Sequence, residues 1–134
     1  MTGKTLIAQY IPYTSYCNTL LFILKLKPNI ALITYKALLG ILNSKFIGWY
    51  FRKEFQITGE DTFPQIMIRD IQQFAVPNKR TKITFNIESK VEHILSIKGS
   101  NSQSDTTSLE NQIDQLVYQL YDLTEEEIKI IENT

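Results

Sequence analysis

Two short apolar runs rich in β-forming residues, Thr5 to Ile11 and Leu20 to Lys27, flank the polar and aromatic stretch Pro12 to Thr19. This pattern predicts two strands with a loop between them, the second closed by Pro28 and Asn29. From Thr34 to Phe51 the apolar residues Leu38, Leu39, Ile41, Leu42, Phe46, Ile47 and Trp49 recur at mixed three- and four-residue spacings, which predicts one largely buried helix with Trp49 in the core. Gly40 and Gly48 would each cost that helix about 1 kcal/mol relative to Ala, so close packing against another element is expected to compensate. Arg52 to Phe63 is a polar, glycine-containing loop. Pro64 to Pro77 reads as strand, turn, strand, ended by a proline that cannot continue a central ladder.

The rest of the chain has helical periodicity. Ile83, Ile87, Val91, Ile94 and Leu95 form one stripe running to Gly99, the expected C-terminal stop, and the Ser/Asn/Asp-rich segment 99–108 is a connector. Leu109, Ile113, Leu116, Val117, Leu120 and Tyr121 form a second stripe, opened by Thr107 and Glu110 as a capping box; Thr124 and Glu127 repeat the box ahead of Ile128 and Ile131. The expected fold class is therefore α+β. A small mixed domain over residues 1–78 precedes a helical tail over 79–134, made of helix 82–98, connector 99–108 and helices 109–121 and 125–132, the first two paired antiparallel.

Composition narrows the picture. The chain of 134 residues is 43% hydrophobic and 21% charged, values of a globular protein. Its zero net charge conceals an asymmetry: residues 1–78 carry eight Lys/Arg against four Asp/Glu, and residues 79–134 carry six against ten. The first part suits a polyanion better. The single cysteine, Cys17, cannot form an internal disulfide and reads as a small buried hydrophobe; with no signal sequence at the start, the expected compartment is the cytoplasm. No apolar run approaches the roughly 20 residues of a membrane span, so no membrane association is expected.

Catalytic chemistry finds little support in the residues. A methyl-transfer domain needs a glycine-rich cofactor loop and an Asn/Asp-Pro-Pro-aromatic motif, and neither occurs. Gly3-Lys4-Thr5 echoes the end of a phosphate-binding loop without the earlier glycine. Glu60 and Asp61 lack a strand-borne lysine partner for a nuclease centre, and His93 stands alone, with no second ligand for a metal and no place in a nucleophilic triad. The acids Glu125 to Glu127 suit a helix N-terminus and need no catalytic role. No catalytic residue, metal or cofactor is expected in this chain.

Two segments carry a family resemblance. Tyr35 to Lys45, with its core Leu38-Leu39-Gly40-Ile41-Leu42-Asn43-Ser44-Lys45, resembles the signature of the TaqI-like C-terminal specificity domain. Leu109 to Tyr121 followed by Leu123 to Ile128 is similar to that family's Ile-Asp-x-x-Val-Tyr-x-Leu-Tyr-x-Leu-Thr-x-x-Glu-Ile ending. Between them, Pro64 to Pro77 resembles the family's closing unit, with Ala75 where proline is usual. The resemblance runs from about Gly3 to Glu132.

The family forms the target-recognition part of adenine-specific restriction-modification methyltransferases. The resemblance therefore implies that residues 1–78 read bases in double-stranded DNA for a methyltransferase domain of a parent enzyme, which needs S-adenosylmethionine and comes with or without an endonuclease. Base reading needs donors and acceptors that reach groove edges, with Lys and Arg on the rim holding phosphates. The loop candidates are Gln56, Thr58, Glu60 and Asp61, with Arg52, Lys53 and Arg69 as phosphate or guanine contacts. Tyr13, Tyr16 and Asn18 form a second cluster, and Lys79 and Arg80 stand at the domain junction as backbone clamps or simply as residues before a helix. An alternative reading is a free-standing interaction module in which the acidic helical tail forms a homodimer or docks a partner.

Overall fold

The computed structural model describes residues 7–13, 16, 23–54 and 71–134. Five helices have both ends within these residues, α1 (Tyr35–Leu42), α2 (Lys45–Glu54), α3 (Lys82–Ser100), α4 (Thr107–Leu120) and α5 (Glu125–Glu132), and Ile71 and Gln72, expected within a strand-turn-strand unit, are helical as well.

No strand occurs among the described residues, which overturns the expected α+β class. Residues 7–11 and 23–27, expected as strand, are irregular, and residues 74–77 likewise; the expected strand residues 5–6, 20–22 and 64–70 lie outside the described residues. A strand persists through paired backbone groups, and here Ala8 and Leu26 give theirs to side chains. The Ala8 amide donates to Asn43 Oδ1 at 2.8 Å while Asn43 Nδ2 returns a bond to the Ala8 carbonyl at 2.9 Å. The Leu26 amide donates to Tyr35 Oη at 3.0 Å. Ile7, Ile11, Ile23 and Leu24 are exposed, while Leu26 packs against the core.

The single helix expected over 34–51 is two helices. Thr34 caps α1, its Oγ1 accepting from the Ala37 amide. After Leu42 the chain turns at Asn43 and Ser44; buried Ser44 donates from Oγ to the Ile41 carbonyl at 2.7 Å and opens α2. The two helices therefore present different faces. Ala37, Gly40 and Ile41 of α1 are buried, as are Ile47, Gly48 and Phe51 of α2.

Helix α3 begins with a capping box that the sequence reading missed, in which Thr81 and Thr84 exchange bonds between hydroxyls and amides. It runs through Gly99 to Ser100 and ends at Asn101, whose amide donates to the Ile97 carbonyl; Gly99 is a helix residue and not its stop. The box expected at Thr107 and Glu110 is absent. Thr106 is the N-cap residue, its hydroxyl donates to Glu110 Oε1, and Asp105 accepts from the Thr107 amide. The second box, Thr124 with Glu127, forms at the start of α5.

Lys98 Nζ donates to the Ser104 carbonyl at 2.7 Å and Lys90 Nζ to Gln112 Oε1 at 2.6 Å, so α3 and α4 run antiparallel. Helix α1 lies across this hairpin. Lys36 pairs with Glu92 at 2.9 Å at its margin. A single apolar cluster then joins Ile33, Ala37, Ile41, Ile47 and Phe51 to Ile87, Val91, Ile113 and Val117. Gly40 makes this approach possible: a Cβ there would stand 2.6 Å from Ile87 Cγ2 and 2.9 Å from Val91 Cγ2.

Candidate nucleic-acid interface

Two of the proposed contact residues stand at the end of α2. Arg52 and Lys53 occupy its last turn, where cations complement the helix dipole; Arg52 is half-buried and Lys53 exposed. The helix is held by ring contacts. Phe46 packs on Tyr121 with centroids 4.9 Å apart, and Phe74 sits 5.8 Å from Tyr50 and 5.5 Å from Phe51. Trp49, read as core, is half-buried and stacks on Phe46.

Lys79 and Arg80 are exposed on the segment that leads into α3. They thus stand on a different element from Arg52 and Lys53, ahead of the Thr81 cap of α3 and not on α2. Tyr13 and Tyr16 are 71% and 95% exposed. Asn18, Gln56, Thr58, Glu60, Asp61 and Arg69 lie outside the described residues.

The structure also assigns work to residues that the list of candidates omitted. The turn that starts α2 is locked onto α4 and α5: the Lys45 amide donates to Asp114 Oδ1 at 2.9 Å, and Lys45 Nζ pairs with Glu132 Oε2 at 3.1 Å. Tyr118 closes the group by donating its hydroxyl to Glu132 Oε1 at 2.7 Å. Burial pushes the Asp114 carboxyl up from its ordinary range despite the opposing effect of Lys45. The Tyr118 hydroxyl, and then Lys45, hold Glu132 below its ordinary value. Tyr121 donates to the Ala75 carbonyl at 2.9 Å. That bond uses the backbone, and proline keeps its carbonyl, so alanine at this position preserves the contact.

Four of these residues belong to the two segments that carried the resemblance, and Glu132 lies beyond them. Lys45 ends the first, and Asp114, Tyr118 and Tyr121 lie in the second. Their signal was present in the sequence as motif positions without an assigned partner. Among the described residues there is no group of three His, Cys, Asp or Glu that could hold a metal ion, and no helix is long and apolar enough to cross a membrane.

The chain belongs to the TaqI-like C-terminal specificity domain family, whose sequence pattern matches residues 1–76. Its class is thus a specificity module of the restriction-modification kind. It is 30% identical over 102 residues to a protein of Methanocaldococcus jannaschii named "Putative type II restriction enzyme and methyltransferase". The match covers 75% of this chain and 9% of that protein. No solved structure matches.

Proposed function

We propose that this chain reads target bases in duplex DNA for a methyltransferase domain carried elsewhere in a parent enzyme of the restriction-modification type. The observation that carries the reading is the family match over residues 1–76, the part in which basic residues outnumber acidic ones. The parent reaction is transfer of a methyl group from S-adenosylmethionine to an adenine amino group. Such an enzyme takes its base out of the stack, and the recognition module holds the neighbouring bases and backbone while this happens.

Within this reading Arg52, Lys53, Lys79 and Arg80 hold phosphates, and Gln56, Thr58, Glu60, Asp61 and Arg69 supply donors and acceptors to groove edges. Tyr13, Tyr16 and Asn18 form a second contact cluster. The Lys45–Asp114–Glu132–Tyr118 group is a positioning device: it fixes α2, and hence Arg52 and Lys53, relative to α4 and α5.

The test is selection from a randomised duplex library by the purified chain at low salt, followed by sequencing of the retained DNA. Enrichment of one short sequence is expected. Retention of DNA with no enriched sequence would reject base reading.

A further inference from the structure

A second group of cations is gathered where the segment 23–33 meets the start of α3. The joining residue is Asn78. Its Oδ1 accepts from the amides of Leu32 at 2.7 Å and Ile33 at 3.4 Å, and its Nδ2 donates to the Ile30 carbonyl at 3.0 Å. Ile30 in turn closes a tight turn on Lys27, whose carbonyl accepts from the amides of Ile30 and Ala31, with Asn29 at φ 68°. This stitching ties the turn that follows Lys25-Leu26-Lys27 to the residue that precedes the run Lys79-Arg80-Thr81-Lys82. Leu26 packs toward the core, and Lys25 and Lys27 on either side of it are exposed. Lys79, Arg80 and Lys82 are exposed as well.

None of these five cations forms an ion pair among the described residues, in contrast to Lys36 and Lys45, which are paired. The first 53 residues hold seven Lys/Arg and no Asp/Glu. The acid facing this surface is Glu88, which lines a shallow cleft with Arg80 and Phe85. Five exposed cations from two segments joined through the Asn78 side chain, with Glu88 the acid beside Arg80 among the described residues, make a cationic surface, and a row of phosphates is the partner that such a surface attracts.

We infer that Lys25, Lys27, Lys79, Arg80 and Lys82 form a phosphate-binding surface for the DNA backbone, on other elements than Arg52 and Lys53, which end α2. The inference rests on the DNA-reading function and extends it: this surface supplies affinity and register irrespective of sequence, while base choice is made elsewhere.

The experiment measures affinity for a duplex of fixed sequence as a function of salt, for the chain and for a variant with Lys25→Gln, Lys27→Gln, Lys79→Gln, Arg80→Gln and Lys82→Gln. Each lost phosphate contact lowers the slope of log affinity against log salt by about 0.9, so a fall of about two or more is expected. The helical circular dichroism and the sequence enriched from a random library should be unchanged. A second variant carrying arginine at the four lysine positions should keep the full slope. An unchanged slope in a glutamine variant that still binds would overturn the surface and leave base reading intact. Failure of the unsubstituted chain to bind any duplex at low salt would remove the DNA reading and this inference with it. Self-association that the glutamine variant keeps and a Leu32→Ser, Phe85→Ser variant loses would assign the face to protein contact instead.

Discussion

The backbone amide of Lys45 and the carboxylate of Asp114 meet at 2.9 Å across 69 positions of sequence, and Asp114 is only 6% exposed. An acceptor so buried is kept in place by the donor it satisfies. Asp114→Ala removes the acceptor and leaves a partly buried amide without it, at an expected cost of about 1–3 kcal/mol. Asp114→Asn keeps an acceptor and discards a charge that burial already disfavours, so its cost should stay below about 1 kcal/mol. Urea denaturation monitored by circular dichroism separates the two. Equal losses would mean that the charge facing Lys45, and not the hydrogen bond, holds the junction.

This contact also indicates what the sequence could and could not convey. The apolar stripes at 83–95 and 109–121 lie in α3 and α4 because amphipathic periodicity is a local property: Ile87, Val91, Ile113 and Val117 are buried from their spacing alone. The break between α1 and α2 is not local. It depends on Asn43 reaching Ala8, Ser44 folding back on Ile41 and Lys45 finding Asp114, none of which periodicity reports. The strands expected at 5–11 and 20–27 rested on short apolar runs, which carry no information about whether a pairing partner exists. Lys79 and Arg80 were legible as exposed cations before a helix. The link from their segment to the one that carries Lys25 and Lys27 was not, because it passes through Asn78 to the turn at Ile30 to Ile33.

Gly40 and Gly99 both sit within helices and should respond to alanine with opposite signs. At Gly99 a Cβ meets nothing within 4 Å, so Gly99→Ala should stabilise the chain by about 0.5–1 kcal/mol through backbone entropy and helix propensity. At Gly40 the same gain is opposed by the methyl groups of Ile87 and Val91 at 2.6 and 2.9 Å. Since α1 would have to move off α3, Gly40→Ala should be a net loss of about 1–3 kcal/mol. Thermal unfolding of the two variants checks the pair. A stabilised Gly40→Ala would mean that the crossing of α1 over α3 has slack.

Glu132 gives the junction an acid sensitivity of defined sign. Its folded-state carboxyl lies below the ordinary value of 4.5, held there by Tyr118 and then Lys45. Its contribution is thus complete above pH 4.5 and is lost as pH falls through the lowered folded value. Asp114 has the opposite sign: burial raises its carboxyl, so the folded chain takes up this proton before the unfolded one and the penalty of its charge is relieved on acidification. Comparing the chain with Glu132→Gln isolates the first effect. The stability gap between them should shrink as pH falls below 4.5. A gap that is constant across that range would place the Glu132 contacts outside the folding balance.

The turn from α4 to α5 holds Asp122 at φ 54°, a region that side-chain-bearing residues enter at a cost. The Leu123 amide donates to the Tyr118 carbonyl and the Asp122 amide to the Gln119 carbonyl, the paired bonds of a Schellman helix ending. Glycine is the residue that this position favours, because without a Cβ the left-handed conformation carries no steric penalty. Asp122→Gly should therefore stabilise the chain, by about 0.5–1 kcal/mol once the greater freedom of glycine in the unfolded chain is set against the relieved strain. Asp122→Val tests the same cause in the other direction, since a β-branched side chain is least compatible with positive φ. It should destabilise the chain and loosen α5, on which Glu132 reaches Lys45. Hydrogen exchange of the Leu123 amide reports on the turn directly: protection should rise in the glycine variant and fall in the valine variant. If both variants left it unchanged, the conformation of Asp122 would have no part in holding α5 against α2.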